Sequence, residues 1–229
     1  MASPQSVAGQ SPTSASSSFW YSRLGSLLAV VPLGIWTINH VWDNLAAWRG
    51  AEAWQQEVTQ FANPFTQAVT ATIALLPLLI HTVWGIGRIF SSRPNNAAYR
   101  TYGNFKYILQ RISAVGVLLF LGAHIWQAFL HPRLVLGHAE QFADIAAFMH
   151  HNVPTLLVYL LGTLGVAYHL AQGLWSFCWT WGLAGGENKA FKRMDVMLVI
   201  FFVVFLAMSW GAIFALYQAG AAFPDPGGH

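Results

Sequence analysis

Four histidines, His40, His81, His124 and His169, fall one each in separate apolar segments, at intervals of 41, 43 and 45 residues. A histidine within a bilayer is costly and marks function more often than packing. In a chain that alternates inward and outward, four such residues can meet in pairs at two depths. An imidazole on each face of one iron is what a bis-histidine haem requires. Two such pairs would set two one-electron carriers in series across a membrane. Any single histidine could instead bond only to a neighbouring helix. Two depth-matched pairs weigh against that plainer account.

The elements that must position them are membrane helices. Of the 229 residues, 55% are apolar or aromatic and only 8% are charged, where a soluble domain carries about 25% charged residues. The expected fold is an all-α membrane protein with five transmembrane helices, the first four forming a haem-binding bundle. The helices are expected at Phe19–Trp42, Pro64–Arg88, Tyr107–Leu130, Pro154–Gly182 and Val196–Tyr217. Each can cross a roughly 30 Å hydrocarbon layer. Residues 1–18, rich in Ser, Ala and Pro and without a charged side chain, form an expected disordered tail. That tail lacks a signal-peptide pattern, so the first helix is expected to be a retained anchor. The membrane domain spans 19–218, and 219–229 is an external tail.

Charge distribution gives an orientation. Arg23, then Arg88, Arg93, Arg100, Lys106 and Arg111, then Lys189, Lys192 and Arg193 fall on one side; only Arg49 and Arg133 fall on the other. This asymmetry predicts a cytoplasmic N-terminus and an external C-terminus. It reads as topology and a docking face rather than a nucleic-acid site, which calls for a basic patch on a soluble fold. The external stretch 43–63 mixes apolar and polar residues at helical spacing, predicting an interfacial amphipathic helix. In 131–153, FADIAAFMHH predicts a second short helix. The loop 91–106 carries a turn over 91–96, and Gly185-Gly186 lies in a short second inner loop. Trp20, Trp42, Trp48, Trp54, Trp126, Trp179 and Trp181 suit an interfacial aromatic belt. Cys178, the one cysteine, is read as packing.

At about 1.5 Å per helical residue, His40 lies roughly 26 Å from Arg23 and His124 roughly 20 Å from Arg111, both in the outer half. His81 and His169 lie about 22–26 Å in from the outer prolines Pro64 and Pro154. The expected pairs are therefore His40 with His124 and His81 with His169. Gly162, Gly165 and Gly173 share the face of His169, and Gly85 lies one turn from His81; small residues let a flat macrocycle approach a helix. Pro77 should perturb the helix one turn before His81. The second ring nitrogen of each ligand needs a partner, expected to be a carbonyl one turn earlier, Thr37 or Thr82. His131, His138, His150, His151 and His229 fall at or beyond the outer edge and read mostly as solvated or interfacial. No carboxylate or cysteine cluster supports a separate metal site at His150-His151.

These segments resemble a known family. SRLGSLLAVVPLGIWTINH with Arg23, Pro32 and His40, LLPLLIHTVWG with His81, and NNAAYRTYGNFKYILQRISAVG with Arg111 carry the resemblance. So do HIW at His124 and YHLAQGLWSFCWTWG with His169. Over about residues 19–218 the chain is similar to the five-helix, two-haem cytochrome b subunit of succinate:menaquinone oxidoreductases, the single-anchor type. The resemblance implies two b haems, the proximal held by His81 and His169 and the distal by His40 and His124. Arg23 and Arg111 are candidate propionate partners, with topology alone as their alternative role. It further implies a flavoprotein and an iron–sulfur protein docked on the cytoplasmic side of a bacterial inner membrane. Electrons from succinate would reach menaquinone through this subunit, and fumarate reduction would use the same parts in reverse.

Within that family the quinone reacts near the distal haem, where Glu57, Glu52 and Asp43 are the candidate proton carriers; each also reads as a solvated loop acid. Some fumarate reductases of the family carry a membrane glutamate shortly before the fourth-helix ligand. Here Gly165, Val166, Ala167 and Tyr168 occupy that stretch. Competing readings are a di-haem cytochrome b of another membrane dehydrogenase, such as a hydrogenase or nitrate reductase, and a haem-free transporter or anchor. The one-per-helix ligand pattern argues against the first; a b-type spectrum would exclude the second.

Overall fold

The computed structural model describes residues 20, 23–59, 64–91, 101–183 and 188–226. Among these the secondary structure is helical, and five helices are long and apolar enough to cross a membrane. They are α1 (Arg23–Arg49), α3 (Ala68–Phe90), α4 (Tyr102–Leu136), α6 (Val153–Thr180) and α7 (Asn188–Gly220). Two short helices, α2 (Ala51–Thr59) and α5 (Phe142–His151), sit in the connections where helices are expected. The 1–18 tail, Arg93, Arg100, Gly185-Gly186, most of the 91–96 turn and His229 lie outside the described residues.

Several spans overrun their expected ends, whereas α6 stops at Thr180, short of Gly182. α1 continues past Trp42 to Arg49, its last residues as a 3-10 turn; α4 runs from Tyr102 to Leu136, and α7 begins at Asn188. Hydropathy marks only the part of a helix that suits hydrocarbon, whereas helical hydrogen bonding continues into the polar layer. At 35 residues, α4 is about 52 Å long, well beyond the bilayer core. Its limits are set by local chemistry. The Thr101 side chain accepts the Asn104 N–H at 3.3 Å as an N-cap. Gly137, at φ 77°, closes the other end, where His138 N–H reaches Pro132 O at 3.1 Å. Asn152 caps α6, accepting from Thr155 N–H at 2.9 Å.

Three of these helices contain π-helical turns, each beside a proline. Ala29–Gly34 contains Pro32, Ala71–Leu75 precedes Pro77, and Trp126–Leu130 and Pro132–Leu136 flank or begin at Pro132. A proline leaves the carbonyl four residues back without its usual donor, and a wider turn accommodates the gap.

α4 packs on α6, α6 on α7, and α5 on α7. The densest packing caps the outer end. Trp54, Phe142, Ile145, Met149, Ile213 and Leu216 form its core, each no more than 5% exposed. Trp54 therefore departs from the expected aromatic belt: it is buried, and its indole N–H donates to Asn44 Oδ1 at 3.1 Å. Trp20, Trp42, Trp48, Trp126 and Trp179 remain exposed. α7 approaches α5 so closely at Gly220 that a Cβ there would lie 2.1 Å from Ala146 O. Near the other end, Lys106 Nζ pairs with Asp195 at 3.3 Å, and Trp175 Nε1 donates to the same carboxylate oxygen at 2.7 Å. Lys106 thus ties α4, α6 and α7 together.

Candidate functional site: two facing histidine pairs

α1 carries His40 and α4 carries His124; their ring centres lie 5.8 Å apart with planes at 71°. α3 carries His81 and α6 carries His169, with ring centres 6.1 Å apart and planes at 67°. Two imidazoles on opposite sides of one metal, at about 2.0–2.1 Å per metal–nitrogen bond, have ring centres roughly 6–6.5 Å apart. The His81–His169 pair falls within that span, and the His40–His124 pair lies just short of it. Among the described residues no group of three or more His, Cys, Asp or Glu is placed to hold a metal. Each pair would thus supply two ligands and leave the rest of the coordination to something else, the division a porphyrin iron demands.

The second nitrogens explain how the rings are held. His81 Nδ1 lies 3.2 Å from Gly25 O on α1. A carbonyl only accepts, so Nδ1 carries the proton and Nε2 keeps its lone pair. His169 Nδ1 lies 3.3 Å from Ser113 Oγ, and that hydroxyl donates its hydrogen to Gln110 O at 2.9 Å. The hydroxyl therefore accepts from Nδ1–H, and Nε2 of His169 is again the lone-pair nitrogen. Gln110 Nε2 adds a hydrogen bond to His169 O at 3.2 Å. In the other pair, His124 Nδ1 lies 3.2 Å from the Tyr159 hydroxyl. His40 stacks on Trp36 at 4.9 Å and 7°, and Asn44 Nδ2 donates to His40 O at 2.8 Å.

These partners differ from the expected ones. Thr37 bonds to Leu33 O within its own helix, and three rings turn instead to a group on another helix. Gly25, Ser113, Gln110 and Tyr159 escape a linear reading because their roles depend on helix rotation and pairing.

The glycines also divide. Gly25 lets α1 meet α3: a Cβ would fall 2.4 Å from Trp84 Cδ2. Gly162 is taken by Phe120 in the same way, at 2.1 Å, rather than facing open space beside His169. Phe120 in turn stacks on His124 at 5.5 Å. A Cβ on Gly85 would meet nothing within 4 Å, and one on Gly165 or Gly173 only a side-chain atom at 3.8 Å.

Arg111 bonds to the carbonyls of Arg88 and Ile89, both at 3.2 Å, and lies over the Tyr107 ring at 4.4 Å. Arg23 donates to Thr180 O at 2.9 Å. Both arginines therefore sit where helices α3 and α6 end, about 10–16 Å along those helices beyond His81 and His169. Beside that pair the Trp84 indole N–H is buried and has no hydrogen-bond partner among the described residues. A buried donor beside the Arg88 guanidinium, whose Cζ lies 5.7 Å from the Trp84 ring, is what an anionic haem edge would satisfy, so the residues present fit the group.

Of the acids, Glu57 pairs with Arg49 at 3.1 Å, Glu52 meets Gln56 at 3.5 Å, and Asp43 accepts from Asn39 at 2.7 Å. Asp43 lies within α1, three residues past His40. His138 and His151 are respectively half-buried and exposed, whereas His150 bonds to Tyr217 O at 2.9 Å. His131 is half-buried and its Nδ1 is buried.

A five-span membrane helical protein that brings four histidines together in two pairs is the class defined by this fold. Residues 91–208 match the model of the succinate dehydrogenase/fumarate reductase transmembrane subunit family. The chain is also 31% identical over 200 residues to the succinate dehydrogenase cytochrome b558 subunit of Bacillus subtilis (strain 168), an alignment covering 87% of this chain and 96% of that protein. The chain belongs to the succinate dehydrogenase/fumarate reductase transmembrane subunit family.

Proposed function

We propose that this subunit is a di-haem cytochrome b that anchors the complex and relays electrons from its iron–sulfur subunit to menaquinone. The observation that carries the reading is the pair of facing imidazole sets, 5.8 and 6.1 Å between ring centres. The tautomers fixed at His81 and His169 leave Nε2 of both free to ligate. When bound, b haems supply one-electron carriers at two depths. His81 and His169 would hold the proximal one, with Arg23, Arg111 and Trp84 around its edge; His40 and His124 would hold the distal one.

The chain's own contribution is positional and electronic. Gly25 O, Ser113 and Tyr159 orient their imidazoles and raise ligand basicity. The basic inner ends support a cytoplasmic N-terminus in a bacterial cell and docking of the flavoprotein and iron–sulfur partners on that side. The relative's printed name and the family description support succinate as the electron donor to the assembled complex.

The test is made on the complex purified from membranes. Succinate should reduce a b-type absorbance and a naphthoquinone should reoxidise it. A b-type absorbance that succinate leaves oxidised would refute the assignment.

A further inference from the structure

The four histidine rings are not held alike. Three are fixed by a polar partner on another helix: His81 by Gly25 O, His169 by the Ser113 hydroxyl and His124 by the Tyr159 hydroxyl. The His40 ring has no hydrogen-bond partner among the described residues; only its backbone carbonyl is engaged, by Asn44. What lies against the ring is Trp36, half-buried on the same helix, 4.9 Å away and within 7° of parallel. The contact matters because the last torsion of a histidine joins a tetrahedral carbon to a flat ring, and its energy well is broad. A ring without a hydrogen bond takes its rotation from whatever covers its face. Residues four apart are neighbours on a helix surface, so the spacing from Trp36 to His40 is what brings the two rings together. Phe120 stands in the same place before His124, its ring 5.5 Å away and tilted by 28°. The inner ligands have Pro77 and Gly165 there, neither of which carries an aromatic ring.

We infer that Trp36 is the positioning residue of His40: by stacking on the imidazole it sets the ring plane, and so the angle at which the two outer imidazoles meet. The inference rests on the di-haem reading above and concerns how one of its ligands is oriented. The His40 and His124 planes stand at 71°. An imidazole shares π density with the iron d orbital that lies across its own plane. Two planes near a right angle feed two different orbitals, which then stay close in energy. Parallel planes feed the same orbital and split the two apart. Ring angle is therefore a lever on a bis-histidine iron, separate from the hydrogen bonds that tune ligand basicity. A flat stack suits this task, because it covers the face of the imidazole and leaves the edge that carries both nitrogens clear. Tyr159 acts on the electron density of the opposite ligand, whereas Trp36 acts on orientation alone.

The test is electron paramagnetic resonance of the intact oxidised complex, where each low-spin haem gives its own low-field feature. Near-perpendicular planes push that feature to lower field than parallel planes do. Trp36→Leu should move one feature to higher field and leave the other in place, with two b haems retained by pyridine haemochrome. The feature that moves should be the one that survives in His81→Ala. Trp36→Phe keeps a flat ring and should hold the feature near its wild-type position. Trp36→Met fills the space without a flat ring and should shift the feature as leucine does; it serves if Trp36→Leu fails to assemble. Trp42→Leu, at a position 65% exposed on the same helix, should shift nothing. Unmoved features in the leucine and methionine variants, equal movement of both features, or a shift in Trp36→Phe as large as in Trp36→Leu would overturn the role given to Trp36. Those results would leave the haem reading intact; a wild-type complex without two low-spin features would instead count against that reading itself.

Discussion

Tyr159→Phe removes one oxygen from the structure. The phenol is only 8% exposed, and its ring packs edge-to-face on Phe120 at 5.5 Å and beside His124 at 5.6 Å. Phenylalanine keeps those contacts, so the helix packing survives. What is lost is the 3.2 Å hydrogen bond to His124 Nδ1. With a haem iron on Nε2, Nδ1–H would donate to the phenol oxygen, and that bond would pull the imidazole toward imidazolate character and strengthen its donation to iron, favouring the oxidised metal. A neutral hydrogen bond contributes about 0.5–1.5 kcal/mol. If that difference is expressed between the two oxidation states, it amounts to roughly 20–65 mV, since about 59 mV corresponds to tenfold for one electron. The expected result is a rise of that size in the midpoint potential of one haem, with the other unmoved. Potentiometric titration of the b-type absorbance in the purified complex measures it. An unchanged pair of potentials, a fall, or an equal shift in both haems would refute the role given to Tyr159.

Two further outcomes follow from the geometry. Replacing His81 or His169 with alanine should remove one haem and leave the other, halving the b-type difference spectrum; retention of both would break the pairing. Gly25→Val should drive a side chain into Trp84, whose Cδ2 would lie 2.4 Å from the new Cβ. Overpacking of that kind costs about 1–3 kcal/mol, seen as a lower thermal midpoint and as loss of the His81–His169 haem before the other; equal loss of both would contradict it.

The helical membrane architecture was legible because it depends on composition. Long apolar runs identify spans, and a rise per residue converts position into depth, which is enough to propose which histidines face each other. Helix ends were less legible. Thr101, Gly137 and Asn152 set the limits of α4 and α6 through single hydrogen bonds and one left-handed glycine, signals that hydropathy smooths away. Trp54 shows a second limit. Tryptophan suits both an interface and a core, and only the packing of α2 against the outer cap decides between them. The groups that hold the imidazoles were not legible at all. Ser113, Tyr159 and Gly25 are ordinary helix residues whose importance arises from the rotation of one helix against another.

The central claim is that each facing histidine pair holds one haem. Pyridine haemochrome quantification against protein mass in the purified complex tests it most directly, joined to a low-temperature spectrum that resolves the two environments. The account predicts two b haems per copy of this chain, both six-coordinate and low-spin. One haem per chain, or none, would contradict it.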